Sequence, residues 1–333
     1  MLASVIVRSF HRAEALKELV ARVREQDHSP LELVIIEMSD DPALVRELES
    51  IGDPRIRVIV SPPLDPPAAR NAAVRGSKGE VLVFIDDDDL PLGADLVRWH
   101  VENYRDPLCM GVVGRLVGHP DRTAAPRFPR LVRAMAMRRT FFGDTVALTY
   151  NTLRKEGIDF LIGSNSSARR ALFDRVGGWD EGLAMNEELS FAHKFARTRR
   201  PGEYFVFDPR PLLWRRTDVP GGLSRRARPD WHLRELEARL QYYREVVGRY
   251  FPVRYKLLAP LFVARGVQQT FFWIWDRDNA VRSVPERARA STELVTRLAS
   301  VLRFERFPLG RVRWTEGDRG ASSDDGQQPS TSR

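Results

Sequence analysis

The apolar positions change period several times in the first third of the chain, and each change marks an element. In "ASVIVR" (3–8) they run almost unbroken, as in a strand buried on both faces. Leu16, Leu19, Val20 and Val23 then recur at three- and four-residue steps, the spacing of one helix face. "LELVII" (31–36) predicts a second strand. "DDPALVRELES" (40–50) predicts a helix, with Asp41 placed to cap it and Pro42 suited to its first turn. "RIRVIV" (55–60) reads as a third strand, "AARNAAVRGS" (68–77) as a short helix ended near Gly76, and "VLVFI" (81–85) as a fourth strand. Alternation of this kind implies a parallel sheet whose ligands sit at the carboxyl ends of its strands.

Beyond residue 105 the pattern loosens. "CMGVVGRLVG" (109–118) predicts another strand, and "FLIGSNSSARRALFDRVGGWDE" (160–181) a strand, a turn and a helix ended at Gly177–Gly178. "NEELSFAHKFAR" (186–197) is helical in pattern and "YFVFDPRPLLWR" (204–215) extended. Helical periodicity returns from Trp231 to Tyr250 and from Pro285 to Arg303, while the apolar-poor end "EGDRGASSDDGQQPSTSR" predicts a disordered tail. The expected division is 1–225 for an α/β domain, with halves 1–117 and 118–225, then 226–312 for a helical region and 313–333 for the tail. No internal repeat is visible.

Composition narrows the class. A 43% hydrophobic content over 333 residues supports a folded core, and one cysteine, Cys109, excludes an internal disulfide framework and a cysteine-based zinc site. No basic stretch precedes the first apolar run, so "MLASVIVRSFHRAE" reads as a strand rather than a signal peptide. The stretch 257–275 is broken by Pro260, Arg265, Gln268 and Gln269, which fits a buried or interfacial helix better than a membrane span. The net charge of +8 comes mostly from arginines without any nucleic-acid motif, so nucleic acid is not an expected partner. One segment, 119–140, interleaves six arginines with apolar residues. It suits phosphates, an anionic membrane surface or a solvated helix face.

The chemistry is concentrated where the fourth strand ends, in "VLVFIDDDDLP" (81–91). Four adjacent carboxylates repel one another unless something positive meets them. Hard cations such as Mg2+ or Mn2+ take carboxylate and phosphate oxygens, and a strand's carboxyl end is where a phosphorylated ligand would lie. "RSFHR" (8–12) and "EMSDD" (37–41) follow the first two strands, so three polar loops converge on one rim.

Taken together, "SVIVRSFHRAEALKELVARVREQ", "LELVIIEMSDD", "AARNAAVRGSKGEVLVFIDDDDLP" and "SNSSARRALFDRVGGWDEGLAMNEELSFAHKFA" resemble, in order, a family 2 glycosyltransferase of the GT-A fold over roughly residues 3–225. The resemblance implies a Rossmann-like, mostly parallel α/β sheet flanked by helices, with a helical C-terminal extension. It implies inverting transfer of a sugar from a nucleoside diphosphate sugar to a glycan or lipid-linked acceptor, assisted by Mn2+ or Mg2+. Asp88 is then the first metal ligand and Asp86 shares the metal or the ribose. Ser9, Glu37, Arg70 and Asp87 belong to the nucleotide-sugar side, and Trp179 and Asp180 to the acceptor, with a plain core position the other reading of Trp179. Glu188 aligns with the catalytic carboxylate, with Glu187 its rival, and Asp89 is expected to cap the next element. The protein is expected in the cytoplasm, resting on the inner membrane face through 119–140 or 257–275.

Departures from the family pattern are specific. Arg8-Ser9-Phe10-His11-Arg12 stands for Pro-Thr-Tyr-Asn-Arg, Glu37-Met38-Ser39-Asp40 for Asp-Asp-Gly-Ser, and Glu187-Glu188 for Glu-Asp; Arg215 and Arg216 stand where a metal-binding histidine often occurs. Two rival readings are a nucleotidyltransferase, whose glycine- and lysine-rich signature "VRSFHRAE" lacks, and a non-catalytic nucleotide-sugar-binding scaffold.

Overall fold

A computed structural model of the chain describes residues 1–121, 137–142, 145–146, 149–183, 186–216, 219, 231–275 and 283–302. Most of the basic 119–140 segment, the expected boundary at 225 and the expected tail lie outside these residues.

Strands β1 (Ala3–Ser9), β2 (Leu31–Glu37), β3 (Ile56–Val60) and β4 (Val81–Asp86) alternate with helices α1 (Ala13–Arg24), α2 (Pro42–Ser50) and α3 (Pro66–Arg75). The chain continues through β5 (Asp89–Pro91), α4 (Leu96–Glu102), β6 (Cys109–Val117), a small hairpin of β7 (Arg138–Arg139) and β8 (Thr145–Val146), and β9 (Lys155–Ile158). Then come β10 (Ser166–Arg169), α5 (Arg170–Val176), α6 (Glu187–Thr198) and β11 (Tyr204–Arg215). The main sheet runs β3-β2-β1-β4-β10-β6-β11-β5, with β9 on β11. β1 to β4 are mutually parallel, as are β6 and β11; β10 lies antiparallel between β4 and β6.

Period-2 alternation divides the central strands between two cores. Val5 and Val7 join Leu16, Leu19, Val20 and Val23 of α1 on one face, while Ile6, Leu82 and Phe84 join α3, α5 and α6 on the other. Burial on both faces is why these strands read as continuous apolar runs. Local signals explain the helix starts: Asp41 accepts from the backbone N–H of Ala43 and Leu44, and Asp65 from that of Ala68, ahead of Pro66 and Pro67.

Three expectations need correction. The strand expected from Phe160 is confined to Ser166–Arg169, because Asn165 takes a left-handed φ of 53° and breaks the extended run. Its side-chain amide donates to the carbonyls of Arg115 and Pro211, so the loop 160–165 is pinned across β6 and β11. The helix expected over 231–250 is α7 (Trp231–Tyr242) followed by a π turn at Tyr243–Val247 and a short helical turn to Tyr250.

The third correction is Trp179, expected on the acceptor side. It is only 2% exposed, and its ring centroid lies 5.5 Å from Phe84, 5.6 Å from Phe173 and 4.7 Å from Phe191. A ring enclosed this way has no face free to stack on a sugar.

Helices α8 (Pro252–Trp275), kinked at Leu258, and α9 (Val284–Leu302) are the last of the described elements. Leu236, Leu240 and Phe262 of the C-terminal helices share one core cluster with Phe84 and Trp179, so this region packs as part of the same body. Among the described residues no helix is long and apolar enough to cross a membrane.

The core position of Trp179 makes a direct prediction. Trp179→Ala should lower unfolding free energy by about 3–5 kcal/mol in urea melts, and Trp179→Phe should lower it by much less. A Trp179→Ala protein as stable as the native one would return this ring to the surface.

Candidate active site

The sheet order places β2 and β3 on one side of β1 and β4 on the other, so the chain reverses direction of winding between β1 and β4. In open α/β sheets that reversal opens a crevice at the strand ends. Arg8 and Asp86 are register neighbours there, and the Arg8 guanidinium lies 3.1 Å from the Asp86 carboxylate.

The four aspartates do not act alike. β4 ends at Asp86, Asp87 and Asp88 make a turn, and Asp89 opens β5. Carboxylate oxygens of Asp86, Asp88 and Asp89 lie within 4.8 Å of one another, whereas Asp87 turns away to accept from Arg12 at 2.8 Å and from the Phe10 N–H at 3.4 Å. Asp89, expected to cap a helix after it, instead lies buried inside a strand. It accepts from the Ser164 hydroxyl at 2.5 Å and from Arg215 at 3.3 Å. Ser164 also accepts from the Asp86 N–H, so one hydroxyl ties both ends of the acidic run together.

Arginines supply the compensating charge. Arg12 lies 2.8 Å from both Asp87 and Asp88, and Arg216 donates to the Asp88 carbonyl at 3.0 Å. Burial pushes the Asp86 carboxyl upward, but Arg8, Arg70 and Arg215 outweigh it and hold its pKa below the ordinary value. For Asp87 burial prevails over Arg12 and lifts the pKa to about 6. Asp89 is lifted by burial to about 7, against the pull of Arg215, and Asp88 is raised by burial and by Asp86. A divalent cation fits this donor set: the ligands are hard oxygens, and Asp89 keeps one buried oxygen, Oδ1, without a hydrogen-bond partner.

Across the crevice, Ser9 and Glu37 are register neighbours at the ends of β1 and β2, and both are buried. Glu37 accepts from the Ser39 N–H at 2.7 Å with one oxygen. Its other oxygen and the Ser9 hydroxyl have no protein partner, an arrangement that suits a polar ligand.

α3 joins this rim to the second half of the domain. Arg70, buried, reaches Asp86 at 3.4 Å with one nitrogen and Glu187 at 2.8 Å with another. Asn71 grips the segment after α5, donating to the Trp179 carbonyl and Glu181 and accepting from the Trp179 N–H. Glu187 and Glu188 form the first turn of α6, where carboxylates are favoured by the helix dipole. Glu187 is thus engaged by Arg70. Glu188 is raised to about 8, first by burial and then by Glu187, despite Arg70. Gly163 makes room here: a Cβ at that position would fall 2.6 Å from Arg70 Nη2 and 2.9 Å from Glu188 Oε1. Asp180 accepts from Lys194 at 2.9 Å and from the Ser190 hydroxyl, so it braces α6.

The structure therefore brings Ser9, Glu37, Arg70, Asp86, Asp88, Glu187 and Glu188 to one crevice and sets Trp179 beneath it, with the Arg70 guanidinium 5.9 Å above the Trp179 ring. Sequence reasoning did not single out Ser164, Arg8 and Arg12 as partners of the acidic run. The "RSFHR" loop carried a signal for the two arginines, since two cations flank it, whereas Ser164 carried none.

Residues 4–177, more than half of the chain, match the family model described as glycosyl transferase family 2. Among curated proteins, the O-antigen chain rhamnosyltransferase RfbN of Salmonella typhimurium is 23% identical over 197 residues, 58% of this chain and 60% of its own length. The chain thus spans less than two thirds of that relative. Among solved structures, the mannosyltransferase PcManGT from Pyrobaculum calidifontis, in complex with GDP-Man and Mn2+, superposes with a TM-score of 0.53 at 19% identity. That likeness, over 89% of this chain and 80% of the other, is one of fold. The family match begins in β1 and ends just past α5, taking in the whole acidic rim, and by it the chain belongs to glycosyl transferase family 2.

Proposed function

We propose that the protein transfers a sugar from a nucleoside diphosphate sugar to an acceptor hydroxyl, with inversion at the anomeric carbon and the help of Mn2+ or Mg2+. The observation that carries this reading is Arg70, which holds Asp86 of the acidic cluster and Glu187 of α6 on one guanidinium. It joins a cation-and-phosphate site to a carboxylate pair, the two chemistries that such a transfer requires.

Asp86, Asp88 and Asp89 would hold the cation, which when bound offsets the charge gathered by the diphosphate leaving group. Arg8, Arg12 and Arg215, already beside these carboxylates, supply further positive charge toward the same phosphates. Ser9 and Glu37 offer unpartnered oxygens to the ribose or base, and Asp87 orders the loop beside them through Arg12 and Phe10.

Glu188 is the general base. It takes the proton of the acceptor hydroxyl as that oxygen attacks the anomeric carbon, while the bond to the diphosphate oxygen breaks on the opposite face. Glu187, committed to Arg70, orients the pair. The acceptor approaches beside Glu188 rather than over Trp179, and it is a glycan or lipid-linked precursor met at the cytoplasmic membrane face. Residues 1–225 carry the transfer chemistry, and the helices after 226 support the acceptor side.

Two outcomes are expected. With a panel of UDP-, GDP- and dTDP-sugars, Asp88→Ala should weaken binding of the preferred donor at least about tenfold in Mn2+, without lowering the melting temperature. Equal donor affinity with and without a chelator would remove the cation from the reading.

A base must be deprotonated to work, so kcat/KM should rise with pH, about tenfold per unit, until it levels near the Glu188 pKa of about 8. Glu188→Gln should lower turnover by about 10²–10⁴-fold with donor affinity nearly unchanged. Full turnover in Glu188→Gln, with loss in Glu187→Gln, would exchange the two roles.

A further inference from the structure

The C-terminal helix α8 has an inner face that is accounted for and an outer face that is not. Phe262, Gly266, Thr270 and Ile274 are buried, and a Cβ on Gly266 would lie 3.0 Å from Leu240, so this side packs closely on α7. On the opposite side stand Val253, Leu257, Leu261, Ala264, Phe272 and Trp275, all exposed, with the exposed Gln268 interrupting the apolar series between Ala264 and Phe272. Val253, Leu257 and Phe272 are 70%, 74% and 65% exposed. The helix is kinked at Leu258, just before Pro260, so Val253 and Leu257 stand on a short first segment and the others on the longer one after it. So many large apolar side chains exposed along one element are not ordinary surface.

Charge decides what covers it. Residues 252–275 include Arg254, Lys256 and Arg265 and no acidic residue. Lys256 is exposed beside Leu257, and Arg254 and Arg265 are half-buried next to Val253 and Ala264. Arg254 also stacks over the exposed ring of Phe141, 4.5 Å from its centroid, which extends the apolar surface at the start of α8. Two copies meeting through this face would bring cation against cation. An anionic lipid surface instead receives the apolar side chains among its acyl chains and the neighbouring cations at its headgroups. Trp275 stands at one end, half its surface open and its indole N–H donating to Ser291 of α9 at 3.1 Å, and Trp is a residue that favours that depth.

We infer that the outer face of α8 is a membrane-docking surface for anionic lipid, with the helix lying in the interface plane. It rests on the proposed transfer function only in placing the acceptor at a membrane. Docking is measured without donor or acceptor, so failure of the transfer reaction and failure of docking are told apart.

The test is flotation of the full chain with vesicles of equal phosphatidylglycerol and phosphatidylcholine, and with phosphatidylcholine alone, at low and high salt. The native protein should bind the anionic vesicles at low salt and lose affinity as salt rises. Leu257→Glu/Phe272→Glu should weaken binding at least about tenfold with an unchanged melting curve. Lys256→Gln/Arg265→Gln should weaken it on the order of 25-fold and abolish the preference for phosphatidylglycerol. Val60→Glu, at an exposed apolar position on β3, should bind as the native chain does. Absence of native binding, or full binding by Leu257→Glu/Phe272→Glu, would overturn the inference. So would a native dimer in light scattering that this double variant dissociates, since the face would then belong to a second copy.

Discussion

The rest of the structure depends on balancing four adjacent aspartates at the end of β4. Their arginine partners come from distant parts of the chain: Arg8 from β1, Arg12 before α1, Arg70 from α3 and Arg215 from the end of β11. Partly buried like charges at this spacing are tolerable only when opposite charges meet them closely, because burial strengthens repulsion and attraction alike. The sheet order satisfies that demand. β1 and β4 are neighbours, which sets Arg8 against Asp86, and β5 pairs with β11, which sets Arg215 against Asp89.

The same balance leaves a graded set of carboxylates. Asp86, touched by several cations, stays ionised more readily than an ordinary aspartate, whereas Asp87, Asp89 and Glu188 hold their protons more tightly. Groups so close with unlike proton affinities can take different parts in one reaction. Asn71, next to the arginine that spans them, clamps the backbone of Trp179, so α3 fixes the distance between the strand ends and α6.

Much of this was legible in the residues. The alternation of strands and helices up to β4, the caps at Asp41 and Gly76 and the convergence of three polar loops came from local patterns that the fold preserves. The antiparallel insertion of β10 did not, because its position is set by one left-handed asparagine and by strands far away in sequence. Asp89 read as a cap because its role is fixed by Ser164 and Arg215, neither of which lies near it in the chain. Trp179 read equally well as an acceptor contact or as core for a similar reason: nothing near it in the chain shows that Phe84, Phe173 and Phe191 close around it.

The place of β10 has a consequence for how the protein is made. β4 gains its second neighbour only when Ser166 pairs with Phe84, and the strand end gains its Arg215 partner later still. At a ribosomal rate of about 5–20 residues per second, some 80 residues separate the emergence of these partners by roughly 4–16 seconds. Through that interval the nascent β4 presents an unpaired, strongly apolar edge ending in carboxylates that lack part of their cationic support. Such an edge is a template for other strands. Like charges at the tip of such an edge disfavour its pairing with an identical strand end, so the carboxylates that Arg8, Arg12 and Arg70 meet within the chain also set two such edges against each other.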